Sequence, residues 1–184
     1  LALSAGMGRG KKAKTRADRA VELAESFFCA GFGLKELAEM INTTLLFEEE
    51  EGFVTLDLCS VDLFSGKASF LKYGGTATFL LRGERVLTLT GLSLPVGILE
   101  NPTPLEQEFL LKNGDVILLC SDGITDAFGG VEETAEWLKK HCDEVPLGDP
   151  ERTAKWLKNG ALSRYRQDEK RDDMTVVAGR FWER

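Results

Sequence analysis

The chain has little of what nucleophilic and soft-metal chemistry draws on: one histidine, His141, and four cysteines, Cys29, Cys59, Cys120 and Cys142. No Ser-His-Asp or Cys-His set can be assembled around the lone histidine. It stands beside Lys140 near a predicted helix end, where interaction with the helix dipole accounts for it. The cysteines form no CxxC pair, so structural zinc and a disulfide framework are both unsupported; reduced, buried thiols of a cytoplasmic protein fit the pattern. No apolar run approaches the roughly 20 residues that span a bilayer, and there is no signal-peptide pattern, so no membrane contact is expected from this segment. Positive charge is in deficit. A formal net charge of -7 argues against a nucleic-acid partner and suits carboxylates gathered around a cation. Internal repeats and low-complexity linkers are also absent. Leu1 already reads as part of a strand, so the segment is expected to be a piece of a longer chain, and whether a regulatory domain or a membrane segment lies upstream is left open by the sequence.

Of the 184 residues, 43% are hydrophobic and 29% charged, which is ordinary for one soluble domain covering 1–184. Leu1–Ser4 reads as a short strand, Ala5–Gly10 as a glycine-rich loop, and Ala13–Ala30 as an amphipathic helix ended by Gly31 and Gly33. A second helix follows over Leu34–Leu46, and the acidic run Glu48–Glu51 reads as a solvated loop. Strand patterns then occupy Phe53–Leu63, Ala68–Tyr73, Ala77–Leu81 and Val86–Thr90. Leu105–Leu111 and Val116–Cys120 flank Asn113-Gly114 and are expected to form a hairpin. Helical periodicity returns at Glu132–His141 and from Pro150 to about Arg166, with Asp149 as N-cap, and the chain closes on a strand after Asp172-Asp173. Central hairpins with helix pairs outside them predict an α+β fold in layers.

The stretch around which the rest is organised is Val116–Asp126. Five apolar residues predict a strand buried on both faces, and it ends abruptly in Ser121-Asp122-Gly123. A carboxylate at the mouth of a buried strand suits a hard cation; a simple turn cap is the alternative. Asp172-Asp173, just before another strand, is a second such place, and a charged loop before an edge strand is its plain reading. The loop Gly6–Lys12 fails both nucleotide patterns. Ala5 stands where the first glycine of GxxxxGK[ST] belongs, Lys12 replaces the Ser/Thr, and Ala13 breaks GxGxxG.

Six stretches, in order, resemble the metal-dependent serine/threonine protein phosphatases of type 2C (PPM). They are Leu3–Gly10, Thr55–Leu58, Tyr73–Thr76 with Phe79, Leu94–Gly97, Gly114–Ile124 and Asp172–Val177. Within that group the chain is most similar to the phosphatase domain of the sporulation stage II protein E family. The resemblance implies two packed antiparallel sheets flanked by helix pairs, here lacking the first strands, with two Mn²⁺ or Mg²⁺ ions at one end. It implies hydrolysis of phosphoserine or phosphothreonine by a metal-bound water, without a covalent intermediate. Asp122 and Asp172 match metal-ligating, catalytic aspartates, Gly6 matches a glycine whose carbonyl ligates metal, and Asp173 is a ligand or a neighbour of one. The implied substrate is a phosphorylated anti-anti-sigma (STAS-domain) protein in sigma-factor control. The helices over 13–46 match a regulatory switch element coupled to dimerisation. Their apolar faces around Phe27, Phe28 and Phe32 are a candidate homodimer contact, with core packing as the other use.

One departure stands out. The family has Asp-Gly where this chain has Ala5-Gly6, and that aspartate bridges both ions. A methyl group cannot ligate, so metal binding and hydrolysis are expected to be strongly impaired. Two readings follow: a phosphatase domain carrying an inactivating substitution, and a pseudophosphatase that binds a phosphoprotein without turnover.

Overall fold

The computed structural model describes residues 1–8, 10–48, 52–74, 77–91, 93–165 and 172–182. The elements run β1 (Ala2–Gly6), α1 (Lys11–Cys29), α2 (Leu34–Phe47), β2 (Val54–Val61), β3 (Lys67–Tyr73), β4 (Ala77–Arg82), β5 (Arg85–Leu89), β6 (Leu105–Leu110), β7 (Val116–Cys120), α3 (Asp122–Phe128), α4 (Val131–Lys140), α5 (Pro150–Leu162) and β8 (Val176–Arg180). The fold is α+β, as expected, with two four-stranded antiparallel sheets ordered β1-β2-β3-β6 and β5-β4-β7-β8. They belong to two compact units, Leu1–Gly75 with Gly91–Leu110, and Thr76–Thr90 with Leu111–Arg184.

In the first unit, alternation along the strands sends Leu56 and Leu58 of β2 and Leu71 and Tyr73 of β3 to one face, where α1 and α2 cover them. The helices contribute Ala20, Leu23 and Ala24, and Leu37, Ala38, Ile41 and Leu45, at helical spacing. Phe27 packs against this core, but Phe28 and Phe32 lie exposed at the α1–α2 turn, so core packing does not account for them. The opposite face of the sheet carries a buried ion pair, Lys72 on β3 with Asp57 directly opposite on β2. A lysine inside a strand reads as a solvated residue, and nothing in the local pattern marks this one as buried.

The second unit is built on β7, whose five residues are all buried, as its unbroken apolar run predicts. Its core joins Phe79 and Leu118 to Ile124 and Phe128 of α3, Leu138 of α4 and Leu157 and Ala161 of α5. Asp149 caps α5 by accepting the Arg152 N–H (3.2 Å), and Pro150 opens the helix. The helix stops at Leu162, short of the expected end; Arg166, like Glu49–Glu51, Gly75 and Thr76, lies outside the described residues. Trp137 stacks on Trp156 at 4.6 Å, so both indoles serve packing. His141 caps α4, with its Nδ1 2.8 Å from the Trp137 carbonyl, in keeping with its helix-end position.

The expected β6–β7 hairpin does not form. β6 pairs with β3, and β7 pairs with β4 and β8. The turn at Asn113-Gly114 is bonded instead to the residue after β8: Gly114 N–H donates to the Phe181 carbonyl (2.9 Å), and Phe181 N–H to that of Asp115 (2.8 Å). Arg82 clamps the Asp115 carboxylate through Nε (3.0 Å) and Nη2 (2.6 Å). Burial had separated the two strands already. β6 alternates between half-buried and exposed residues, whereas β7 is buried throughout. A helix was also not anticipated after β7: α3 begins at Asp122, where a turn was read, and its seven residues, with Gly123 at the second position and Gly129 just after the last, are too few to show a helical period.

Candidate metal centre

β7 ends by delivering Ser121, Asp122 and Gly123 to the turn that starts α3. The Ser121 N–H donates to the Thr175 carbonyl (3.0 Å), extending the β7–β8 ladder by one bond beyond Cys120–Val176. Its buried hydroxyl then donates to the Asp173 carbonyl (3.0 Å) and accepts from the Thr175 N–H (2.9 Å). Gly123 completes the junction. A Cβ there would lie 2.5 Å from the Asp173 carbonyl oxygen and 3.3 Å from the Asp172 carbonyl carbon, so glycine alone lets the two turns come together.

The result is that the turns bearing Asp122 and Asp172 sit side by side at one end of β7 and β8. Each carboxylate is oriented by the next backbone amide: Gly123 N–H donates to Asp122 Oδ1 and Asp173 N–H to Asp172 Oδ1, both at 2.9 Å. Asp122, Asp172 and Asp173 are all exposed. Asp122 is thus the first residue of α3 and a carboxylate presented to solvent, not merely a turn cap.

Asp126, one turn further along α3, joins them. Its pKa is raised, first by desolvation and then by the negative charges of Asp122 and Asp172. Sequence reasoning passed over it, because the four-residue spacing from Asp122 means something only once α3 is known. Among the described residues, no three His, Cys, Asp or Glu side chains close into a set positioned to hold a metal ion. The three aspartates therefore act on one another at Coulombic rather than ligating range. Exposed carboxylate oxygens are the donors that a hard divalent cation such as Mg²⁺ or Mn²⁺ takes, but Asp122, Asp172 and Asp126 do not converge into a ligand set.

Ala5 and Gly6 lie at the end of β1 in the first unit, on the strand and not in a loop. Ala5 pairs with Thr55, whose hydroxyl oxygen accepts the Ala5 N–H at 3.2 Å. A Cβ on Gly6 would stand 2.0 Å from the Ala13 carbonyl oxygen, so this glycine is what allows the first turn of α1 to lie against β1.

The family model for stage II sporulation protein E (SpoIIE) matches residues 1–182. The chain belongs to the SpoIIE family. Stage II sporulation protein E of Bacillus subtilis (strain 168) is 33% identical over 181 residues, a match that takes in 98% of this chain and 22% of that protein. This SpoIIE-family segment therefore spans less than a quarter of the length of that relative. Among solved structures, the PP2C phosphatase domain of B. subtilis SpoIIE with a fragment of its regulatory domain is similar at 31% identity and a TM-score of 0.85, over 98% of this chain and 53% of that one. The phosphatase domain of the same protein in a manganese-presoaked form gives 25% identity and a TM-score of 0.61, over all of this chain and 88% of that one. The fold is that of PP2C-type phosphatase domains.

Proposed function

We propose that the segment is a divalent-metal-dependent protein phosphatase module that removes phosphate from serine or threonine of a STAS-domain anti-anti-sigma protein. The observation that carries this reading is the Ser121 junction, which sets Asp122 and Asp172, the two aspartates matched by the family motifs, on adjoining turns. The family motifs favour these two as ligands, with Asp173 beside them. When bound, divalent ions supply Lewis acidity toward the phosphoryl oxygens and make water nucleophilic at neutral pH. The protein's own part is to hold the carboxylates aligned: Ser121 fixes the turns, and the Gly123 and Asp173 amides orient one oxygen of each carboxylate.

Ala5 favours a second reading, a pseudophosphatase that binds its phosphoprotein and releases it unchanged. Removing a shared carboxylate leaves up to four positive charges short of one negative charge, so affinity for ions falls by orders of magnitude. The discriminating experiment is Ala5→Asp with Mn²⁺ titration of p-nitrophenyl phosphate and phosphoserine-peptide hydrolysis. The phosphatase reading expects metal-dependent turnover to appear in the variant. Background activity at saturating Mn²⁺ leaves the pseudophosphatase reading.

A further inference from the structure

A cleft of about 460 Å³ opens in the second unit where the end of α3, one face of α4 and the chain just beyond α5 meet. Its floor is aromatic. The Phe128 and Trp137 rings lie 4.7 Å apart, and Trp137 is backed by Trp156 at 4.6 Å and flanked by His141 at 4.7 Å. Gly160 of α5 makes room for the indole, since a Cβ there would lie 2.6 Å from Trp137 Cη2. His141 is tied through Nδ1 to the Trp137 carbonyl (2.8 Å), so the rings form a fixed surface that loses little entropy on binding.

A guanidinium already occupies this floor. Arg164, two residues past α5, places its Cζ over the Phe128 ring, 4.6 Å from the centroid. The face of an aromatic ring attracts a cation through its quadrupole, and arginine takes this place more often than lysine. Two carboxylates, Glu133 and Glu136, line the same cleft, yet among the described residues neither forms an ion pair with Arg164. Glu133 turns back to the start of α4, where a Cβ on Gly130 would lie 2.7 Å from its Oε2. Glu136, three residues further along α4, is exposed to solvent. Arg164 therefore fills the aromatic half of a guanidinium seat and leaves the carboxylate half open.

We propose that this cleft seats an arginine side chain presented by a partner protein, and that Arg164 is its resident plug. The chain's own arginine on Phe128 shows the chemistry of the occupant. An arginine arriving from solvent is not bound to the end of α5, so it can lie on Phe128 and also donate two N–H groups to Glu136, a bidentate pairing that an ammonium cannot make. The formal net charge of -7 draws cationic segments toward the chain. Lys140, one turn beyond Glu136 and in the same cleft, opposes a cation there, so its removal favours the occupant. The seat uses none of the residues in the phosphatase motifs and stands whether or not the chain hydrolyses phosphate.

Tryptophan fluorescence and isothermal titration at pH 8, where an ordinary histidine is neutral, read binding to the chain as it stands. The probes are acetyl-Gly-Arg-Gly-amide and the same peptide with lysine or with citrulline, the neutral isostere, in place of arginine. The arginine peptide is expected to bind about fivefold more tightly than the lysine peptide, with no measurable binding of the citrulline one. Arg164→Gln, at an exposed side chain, removes the plug and is expected to tighten the arginine peptide about tenfold. In that background Glu136→Gln is expected to lose about tenfold and Lys140→Gln to gain about threefold. Equal binding of the arginine and citrulline peptides, or no binding to either the parent or Arg164→Gln, overturns the proposal. So does an Arg164→Gln variant that melts lower but binds the peptide no more tightly, which makes the contact with Phe128 a structural tie only, and so does an affinity unmoved by Glu136→Gln.

Discussion

Ser121→Ala is the substitution that most directly tests the candidate metal centre. It removes the bond to the Asp173 carbonyl (3.0 Å) and the one from the Thr175 N–H (2.9 Å), and it keeps the backbone bond from Ser121 to Thr175. At about 1 kcal/mol net for each bond, the loss is about 2 kcal/mol, rising if the Thr175 amide finds no water. For a chain of this size that corresponds to a fall in Tm of about 4–8 °C. The more telling effect is on metal. Once the Asp172–Thr175 turn is free to shift, the two carboxylates are no longer aligned, and Mn²⁺ affinity in an Ala5→Asp background is expected to fall about tenfold. Thermal melts with and without Mn²⁺ read both effects, since bound ion stabilises by RT ln(1 + [L]/Kd). Ser121→Thr keeps the hydroxyl and is expected to recover most of the Mn²⁺-induced shift. If Ser121→Ala lowers Tm while leaving that shift unchanged, the junction is only structural and the role given to Ser121 is wrong.

Two further outcomes follow from the buried and acidic groups. Lys72→Met strands the Asp57 carboxylate inside the first sheet without its lysine and is expected to cost about 3–5 kcal/mol, whereas Lys72→Met/Asp57→Leu recovers most of it; urea unfolding of both variants checks the pair. Asp126, with its pKa raised in the fold, binds its proton more tightly folded than unfolded, so its contribution to stability is present below pH 3.8 and is lost as pH rises through the folded value. Asp126→Asn is therefore expected to melt higher than the parent at neutral pH but not at pH 3, and to gain less from added Mn²⁺. A Tm difference that does not change with pH refutes the proposed repulsion.

The elements were legible where a local pattern carries the signal. The unbroken apolar run of Val116–Cys120, the helical spacing through α1 and α2, and the Asp149-Pro150 start of α5 each specify their own conformation. Partners were not legible. Asn113-Gly114 has hairpin chemistry, but its strands join different sheets, because pairing is decided by which faces are buried and not by the turn. Of the candidate site residues, Asp122, Asp172 and Asp173 were singled out from their motifs. Asp126, Ser121 and the Asp57–Lys72 pair were not, since each depends on α3, on the β7–β8 register, or on burial of a lysine that sequence alone assigns to solvent.

The same geometry also sorts the family's matched residues by what they can testify to. Gly6 has a sufficient packing reason to be glycine: any side chain there collides with the carbonyl of Ala13 and lifts α1 from β1. Its presence would therefore be required in a chain that had lost catalysis altogether, and it does not separate the enzyme from the pseudophosphatase. Gly123 is bound in the same way by the Asp173 backbone. Asp122 and Asp172 are different. They are exposed, they raise the pKa of Asp126 by repulsion, and among the described residues they form no ion pair. Packing gives no reason to keep two exposed carboxylates, both acting on Asp126, on adjoining turns, whereas a divalent cation does. Their retention opposite the loss represented by Ala5 weighs toward a site that still meets metal, and the Mn²⁺-induced shift in Tm of Asp122→Asn and Asp172→Asn measures this without relying on turnover. Loss of the shift in both variants supports a residual ion held by the second unit; an unchanged shift places any bound ion elsewhere and removes the main argument for the carboxylates as ligands.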